Sequence, residues 1–167
     1  SFEKLSPDLI ILQYGLNIVR NIRDDYSYYK RGLLRQIALL KELAPGSGII
    51  VIGVTDMAES GDDGIKSFNN IPLIIKAQRE AAFQSGAAFW DPYNAMGGES
   101  SIIRWAEKKP PLAQNDYVHL TYSGADTLSA FLFNDLFTLQ GADSSLVSQA
   151  DSSMALNEDQ VFQEKWR

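Results

Sequence analysis

Apolar positions in this chain fall into two patterns, short solid runs and longer spaced stripes, and the two take turns. Leu9-Ile10-Ile11-Leu12, within Pro7 to Gly15, is a solid run that closes on a glycine. A strand covered on both faces, as in a parallel sheet, reads this way. From about Tyr28 to Leu43 the pattern changes to helical spacing, with Leu33, Leu34, Ile37, Leu40 and Leu43 on one side and Pro45-Gly46 as the stop. Ile49 to Val54 is a second buried run. Residues Asp56 to Asn70 are polar and glycine-rich and read as a loop. A helix is expected from about Pro72 to Ser85, with the proline in its first turn. Ala87 to Trp90 reads as a short third strand ended by Asp91-Pro92. A short helix near Ser100 to Glu107 and a loop at Lys109-Pro110-Pro111 follow. The last clear helix starts with Thr121 as N-cap and carries Leu128, Phe131, Leu132 and Leu136 on one face.

Strand and helix in alternation predict an α/β layered domain with a parallel sheet. Ligands of such sheets bind beyond the carboxyl ends of the strands. Gly15, Asn17, the Thr55-Asp56 loop, Asp91 and the Asp116–His119 loop are thereby expected along one sheet edge. No repeat of fixed period is present. From Gly141 onward the composition shifts to Ser, Ala and Asp, which reads as a polar tail or linker over residues 141–167.

Composition narrows the function more than the fold. The chain has 167 residues, enough for one domain with a real core. Its net charge is -6 and its sequence pI about 4.7. Lys108-Lys109 is the densest basic pair, so no surface is expected to track a nucleic-acid backbone. No apolar run is long enough to span a membrane. There is no cysteine, which excludes disulfides and thiolate metal sites. With a single histidine as well, no transition-metal site is expected.

That one histidine, His119, stands three residues after an aspartate in Asn115-Asp116-Tyr117-Val118-His119. A carboxylate beside an imidazole fixes its tautomer, and the imidazole then takes a proton from a serine hydroxyl. The same spacing also suits a surface histidine at a helix start. Trp90 and Trp105 read either as packing or as platforms for a sugar ring. Tyr26, Tyr28 and Tyr29 line a cleft or cover a helix end; the pattern does not choose.

Asp116-Tyr117-Val118-His119 before a C-terminal amphipathic helix resembles the last motif block of the SGNH hydrolases, or GDSL-type esterases. Tyr14-Gly15-Leu16-Asn17, at the end of a buried strand, resembles the block that supplies their oxyanion-hole asparagine. Phe89-Trp90-Asp91, then Ala95-Met96-Gly97-Gly98 and Trp105, are also similar to members of this family, in its bacterial carbohydrate or peptidoglycan O-acetylesterase-like branch. The resemblance runs over residues 7 to 138. It implies a three-layer α/β/α fold with a parallel, flavodoxin-like sheet. It implies a serine esterase acting on an acetylated sugar without a cofactor, in the periplasm or outside the cell. His119 and Asp116 become the base and its orienting acid, and Asn17 the oxyanion donor. Tyr14, Gly15, Trp90 and Trp105 become candidate substrate contacts.

Two departures shape the expectation. The family's oxyanion block continues Gly-x-Asn-Asp, whereas Ile18 follows Asn17 here. The Gly-Asp-Ser block that carries the nucleophile at the end of the first strand, and the second glycine block, are missing. Gly141-Ala142-Asp143-Ser144 has no strand before it and reads as coincidence. Ser60 and Ser123 read as hydrogen-bonding or capping residues. Residues 1–140 are therefore expected to be the C-terminal two-thirds of the domain, with its first strands absent and its serine in an N-terminal segment of the same protein. A non-catalytic glycan-binding module and an inactive fragment are the competing readings.

Overall fold

The computed structural model describes residues 6–138. The chain divides into two compact units, Ser1–Ala130 and Phe131–Arg167. The expected tail over 141–167 lies outside the described residues.

The first unit is built on three parallel strands. β1 (Leu9–Gln13) pairs with β2 (Gly48–Ile52) from Leu9↔Gly48 to Gln13↔Ile52, and β2 pairs with β5 (Ala88–Trp90). The crossovers are α1 (Ser27–Leu43) and α2 (Ile71–Gln84). The sheet steps in one direction, so two crossovers of the same right-handed sense place both helices on one face. The core agrees: Ile10, Ile49 and Val51 of the strands pack with Leu33 and Ile37 of α1 and Ala81 and Ala82 of α2. Strand side chains alternate in direction, and Trp90 points the other way. It packs against a cluster of Met96 from α3 (Pro92–Met96), Ile102 and Trp105 from α4 (Ser101–Glu107) and Leu128 from α5 (Tyr122–Thr138). The expected mixed α/β architecture with a parallel sheet and flanking helices is what forms.

Leu9 and Ile11 alternate with the buried Ile10 and are 47% and 52% exposed. Among the described residues, β1 pairs only with β2, leaving its outer edge open. In the second unit the Phe133 and Phe137 rings of α5 stack with centroids 4.4 Å apart.

The stretch expected as a loop from Asp56 to Asn70 is a hairpin instead. β3 (Ala58–Gly61) and β4 (Gly64–Ser67) pair antiparallel around Asp62-Asp63, with Gly64 at φ +102°. Apart from Ala58 its side chains are exposed or half-buried, so no apolar alternation marked it in the sequence.

Candidate active site

His119 sits in a loop whose ends are pinned. Ala113 and Leu120 form an antiparallel bridge, the His119 carbonyl accepts from Gln114 N at 2.8 Å, and Thr121 N donates to the Leu112 carbonyl at 3.0 Å. Thr121 is the N-cap expected of it: its Oγ1 accepts from Gly124 N at 3.1 Å. It also donates to the Pro111 carbonyl at 2.7 Å. Gly124 has to be glycine, because an added Cβ would run into the Leu112 carbonyl.

Inside this clamp Asp116 organises the histidine twice. Its Oδ1 accepts from the backbone N–H groups of Val118 and His119, each at 3.0 Å, folding a turn that carries Tyr117 at φ +56°. Its Oδ2 lies 2.6 Å from His119 Nδ1. An ionised carboxylate has no proton to give, so Nδ1–H is the donor and Nε2 keeps its lone pair. The hydrogen bond from the imidazole, joined by those from the backbone, pulls the Asp116 carboxyl down to about 2. The His119 side chain is 69% exposed, and Nε2 has no hydrogen-bond partner among the described residues. Chemically this is an oriented base with its working nitrogen open.

Asn17 lies in a 3-10 turn (Leu16–Ile18) just past β1, and its side chain is exposed. Leu16 and Ile18 on either side of it pack on the core cluster of Val19, Val54 and Ile71, and Val118 packs on the same cluster. One patch of core therefore anchors the asparagine turn and the residue before His119. A further tie runs from Ala58 N to the Tyr117 carbonyl at 3.0 Å.

The other expected contacts divide. Trp90 is half-buried at the end of β5. Trp105 is a correction: at 4% exposure it is part of the core, because α4 turns it toward Leu112 and Leu128, and it offers no face to a sugar. Tyr14 directs its hydroxyl to Gln36 of α1. Gly15 is buried, and its φ of +118° makes the chain turn out of β1.

Two residues at this edge were not singled out as site residues. Gln78 of α2 is buried and bonds to the ends of both β1 and β2. Asp56 is fully buried just past β2; its Oδ2 accepts from Ser67 Oγ at 2.9 Å and Ile102 N at 3.0 Å, joining the hairpin to α4. Burial pushes its carboxyl up. A polar residue on a mostly apolar helix face was the available signal for Gln78. The sequence marked Asp56 only by its place in the Thr55-Asp56 loop at the sheet edge, not by its burial.

No family model matches the chain, and no match to a curated protein was found. Solved structures do match. A peptidoglycan O-acetylesterase superposes at TM-score 0.74 and 26% identity, covering 85% of this chain and 41% of that one. The chain has an SGNH/GDSL esterase-like fold. A protein described as a GDSL-like lipase from Parabacteroides merdae matches at TM-score 0.58 and 14% identity over 77% of this chain and 60% of that one. The periplasmic domain of a lipopolysaccharide acetyltransferase from Salmonella ser. Paratyphi A matches at 0.56 and 15%, over 81% and 59%. The chain thus spans about two fifths to three fifths of the length of these proteins. At family level the SGNH-type neighbours are hydrolases and acetyltransferases. No helix among the described residues is long and apolar enough to cross a membrane.

Proposed function

We propose that this chain carries the base, its orienting acid and one oxyanion donor of a serine esterase that removes acetyl groups from a carbohydrate or peptidoglycan. One observation carries the reading: the 2.6 Å bond from His119 Nδ1 to Asp116 leaves Nε2 open at the carboxyl edge of an esterase-like sheet. The O-acetylesterase among the structural neighbours supports the substrate class. The periplasmic domain among them supports a periplasmic or secreted location.

The serine comes, in this proposal, from an N-terminal segment of the same protein, seated on the open edge of β1 and the exposed Leu9–Ile11 face. The serine oxygen attacks the acetyl carbonyl carbon while His119 Nε2 takes its proton. Asp116 stabilises the imidazolium. The Asn17 carboxamide donates to the oxyanion. The imidazolium returns the proton to the sugar oxygen as the carbon–oxygen bond breaks, leaving an acetyl-serine. Water then repeats the sequence and releases acetate. No step calls for a metal or an organic cofactor.

The test is to treat the full natural protein with a serine-directed phosphonate and map the adduct by mass. An adduct on one serine outside residues 6–138, lost in His119→Ala, is the expected result. Equal ester turnover in wild type and His119→Ala would sink the proposal. Glycan binding without turnover or labelling would replace it with a binding module.

A further inference from the structure

Gln78 is 1% exposed, and its carboxamide is spent on strand ends. Nε2 donates to the Tyr14 carbonyl at 3.0 Å and to Tyr29 Oη at 3.1 Å. Oε1 accepts from Val54 N at 3.0 Å. The ladder between β1 and β2 stops at Gln13↔Ile52. Tyr14 lies one residue past β1 and Val54 two past β2, where the strands have parted. A peptide group in a ladder donates to one neighbour and accepts from the other. The Gln78 side chain does the same, so it continues the sheet by one rung after the backbones separate.

The next residue along is Gly15. An added Cβ there would lie 2.5 Å from Tyr29 Oη, 3.0 Å from Gln78 Nε2 and 3.3 Å from Val54 Cγ1. The turn is therefore backed by the Gln78 amide and by the Tyr29 hydroxyl that this amide holds, and Asn17 follows two residues later. A buried amide is a poor choice for filling space, because an apolar side chain of the same volume carries no desolvation cost. Its bonds go to the two strand ends and to Tyr29, none of them within its own helix.

We infer that Gln78 is a positioning residue for Asn17: its carboxamide fixes the Tyr14 carbonyl, and through it the angle from which the Gly15–Asn17 turn presents the asparagine to the oxyanion. The inference rests on the role proposed above for Asn17. Small displacements of a positioned group cost rate steeply. The effect belongs in kcat, because an oxyanion donor bonds more strongly in the transition state than in the ground state.

The experiment is acetyl-ester turnover by the full natural protein carrying Gln78→Met, with and without Asn17→Ala. Gln78→Met alone should lower kcat about tenfold with KM within about twofold, and should cause no further loss once Asn17 is alanine. Equal losses in both backgrounds, or a loss confined to KM, would overturn the inference. His119→Ala runs alongside. If it leaves turnover intact, the esterase reading falls and this inference with it. If it abolishes turnover while the Gln78 and Asn17 losses multiply, only the inference falls. Should the methionine variant melt too low to assay, Gln78→Glu keeps the acceptor for Val54 N and loses the amide donors. Amide exchange at Ile18 and Val19, whose N–H groups bond to Gly15 and Leu16, should then quicken severalfold. Unchanged exchange there would overturn the inference as well.

Discussion

The Asp116–His119 loop and the Gly15–Asn17 turn are anchored on the same patch of core, yet different forces shape them. In the loop, both bonds that aim the imidazole come from a carboxylate three residues away. In the turn, the Tyr14 carbonyl is caught by Gln78, 64 positions along the chain, and Gly15 is pressed against the Tyr29 hydroxyl. The loop is exposed and locally wired. The turn is backed by packing and globally wired. Chemistry at the loop should therefore be separable from stability, and at the buried groups that back the turn the two should fall together.

The largest effect tests the separable side. In the full natural protein, His119→Ala should reduce kcat by about 10⁶-fold. Its folding stability should move by no more than about 0.5 kcal/mol, as for other exposed side chains. Steady-state kinetics and a thermal melt on the same preparation check both. A large loss of stability would show that the loop is not the local device described.

Asn17→Ala comes next. One oxyanion donor is worth about 10²–10³ in kcat. Asn17 is exposed although its turn is backed by buried groups, so the melt should again stay close to wild type. Gly15→Ala moves inward from there. The added methyl meets the Tyr29 hydroxyl in a backbone conformation that disfavours any side chain. It should cost about 1–3 kcal/mol, as overpacking does, and lower kcat with it. Tyr29→Phe in the same chain should recover part of the stability by removing the oxygen in the way. Failure of that rescue would place the strain in the backbone or in the remaining contacts with Gln78 and Val54.

The same contrast explains what was legible in the sequence. Asp116, His119 and Thr121 lie within a few residues of one another, so a carboxylate beside an imidazole ahead of a helix cap was visible in the pattern, together with the competing reading of a surface histidine at a helix start. The solid apolar runs announced parallel strands; β2 is buried as expected, whereas β1 leaves Leu9 and Ile11 exposed on one face. Gln78 showed only as a polar residue on an apolar helix face; its role was hidden because its partners Tyr14, Tyr29 and Val54 are distant in sequence and meet only when the strands and helices assemble. The β3–β4 hairpin was missed because its polar strands lie largely outside the core and show no alternation. Trp105 stayed open between packing and a sugar platform because a tryptophan near a candidate site looks alike whether its ring faces a cleft or the core; only the turn of α4 decides.

The smallest effects lie at the two ends of the pH scale, and each reports one region. The bonds from His119 hold the Asp116 carboxyl at about 2, below its usual value of 3.8. A carboxyl whose pKa is lower folded than unfolded adds stability that is complete above the unfolded value and is lost as pH falls through the folded one. The loop should therefore loosen between about pH 4 and 2, with the Val118 and His119 amide shifts moving together, and Asp116→Asn should remove the transition. At the turn, burial pushes the Tyr29 hydroxyl up to about 12 from a usual value of 10.0. Its folded pKa is raised, so the neutral form contributes fully below pH 10 and the contribution is lost as pH rises toward 12. Tyrosinate absorbance should show a component titrating toward pH 12 that Tyr29→Phe deletes. If Tyr29 titrates at the ordinary value instead, water reaches the hydroxyl on which Gly15 rests. The turn would then be no better shielded than the loop, and the contrast between packed and local wiring would fail at its packed end.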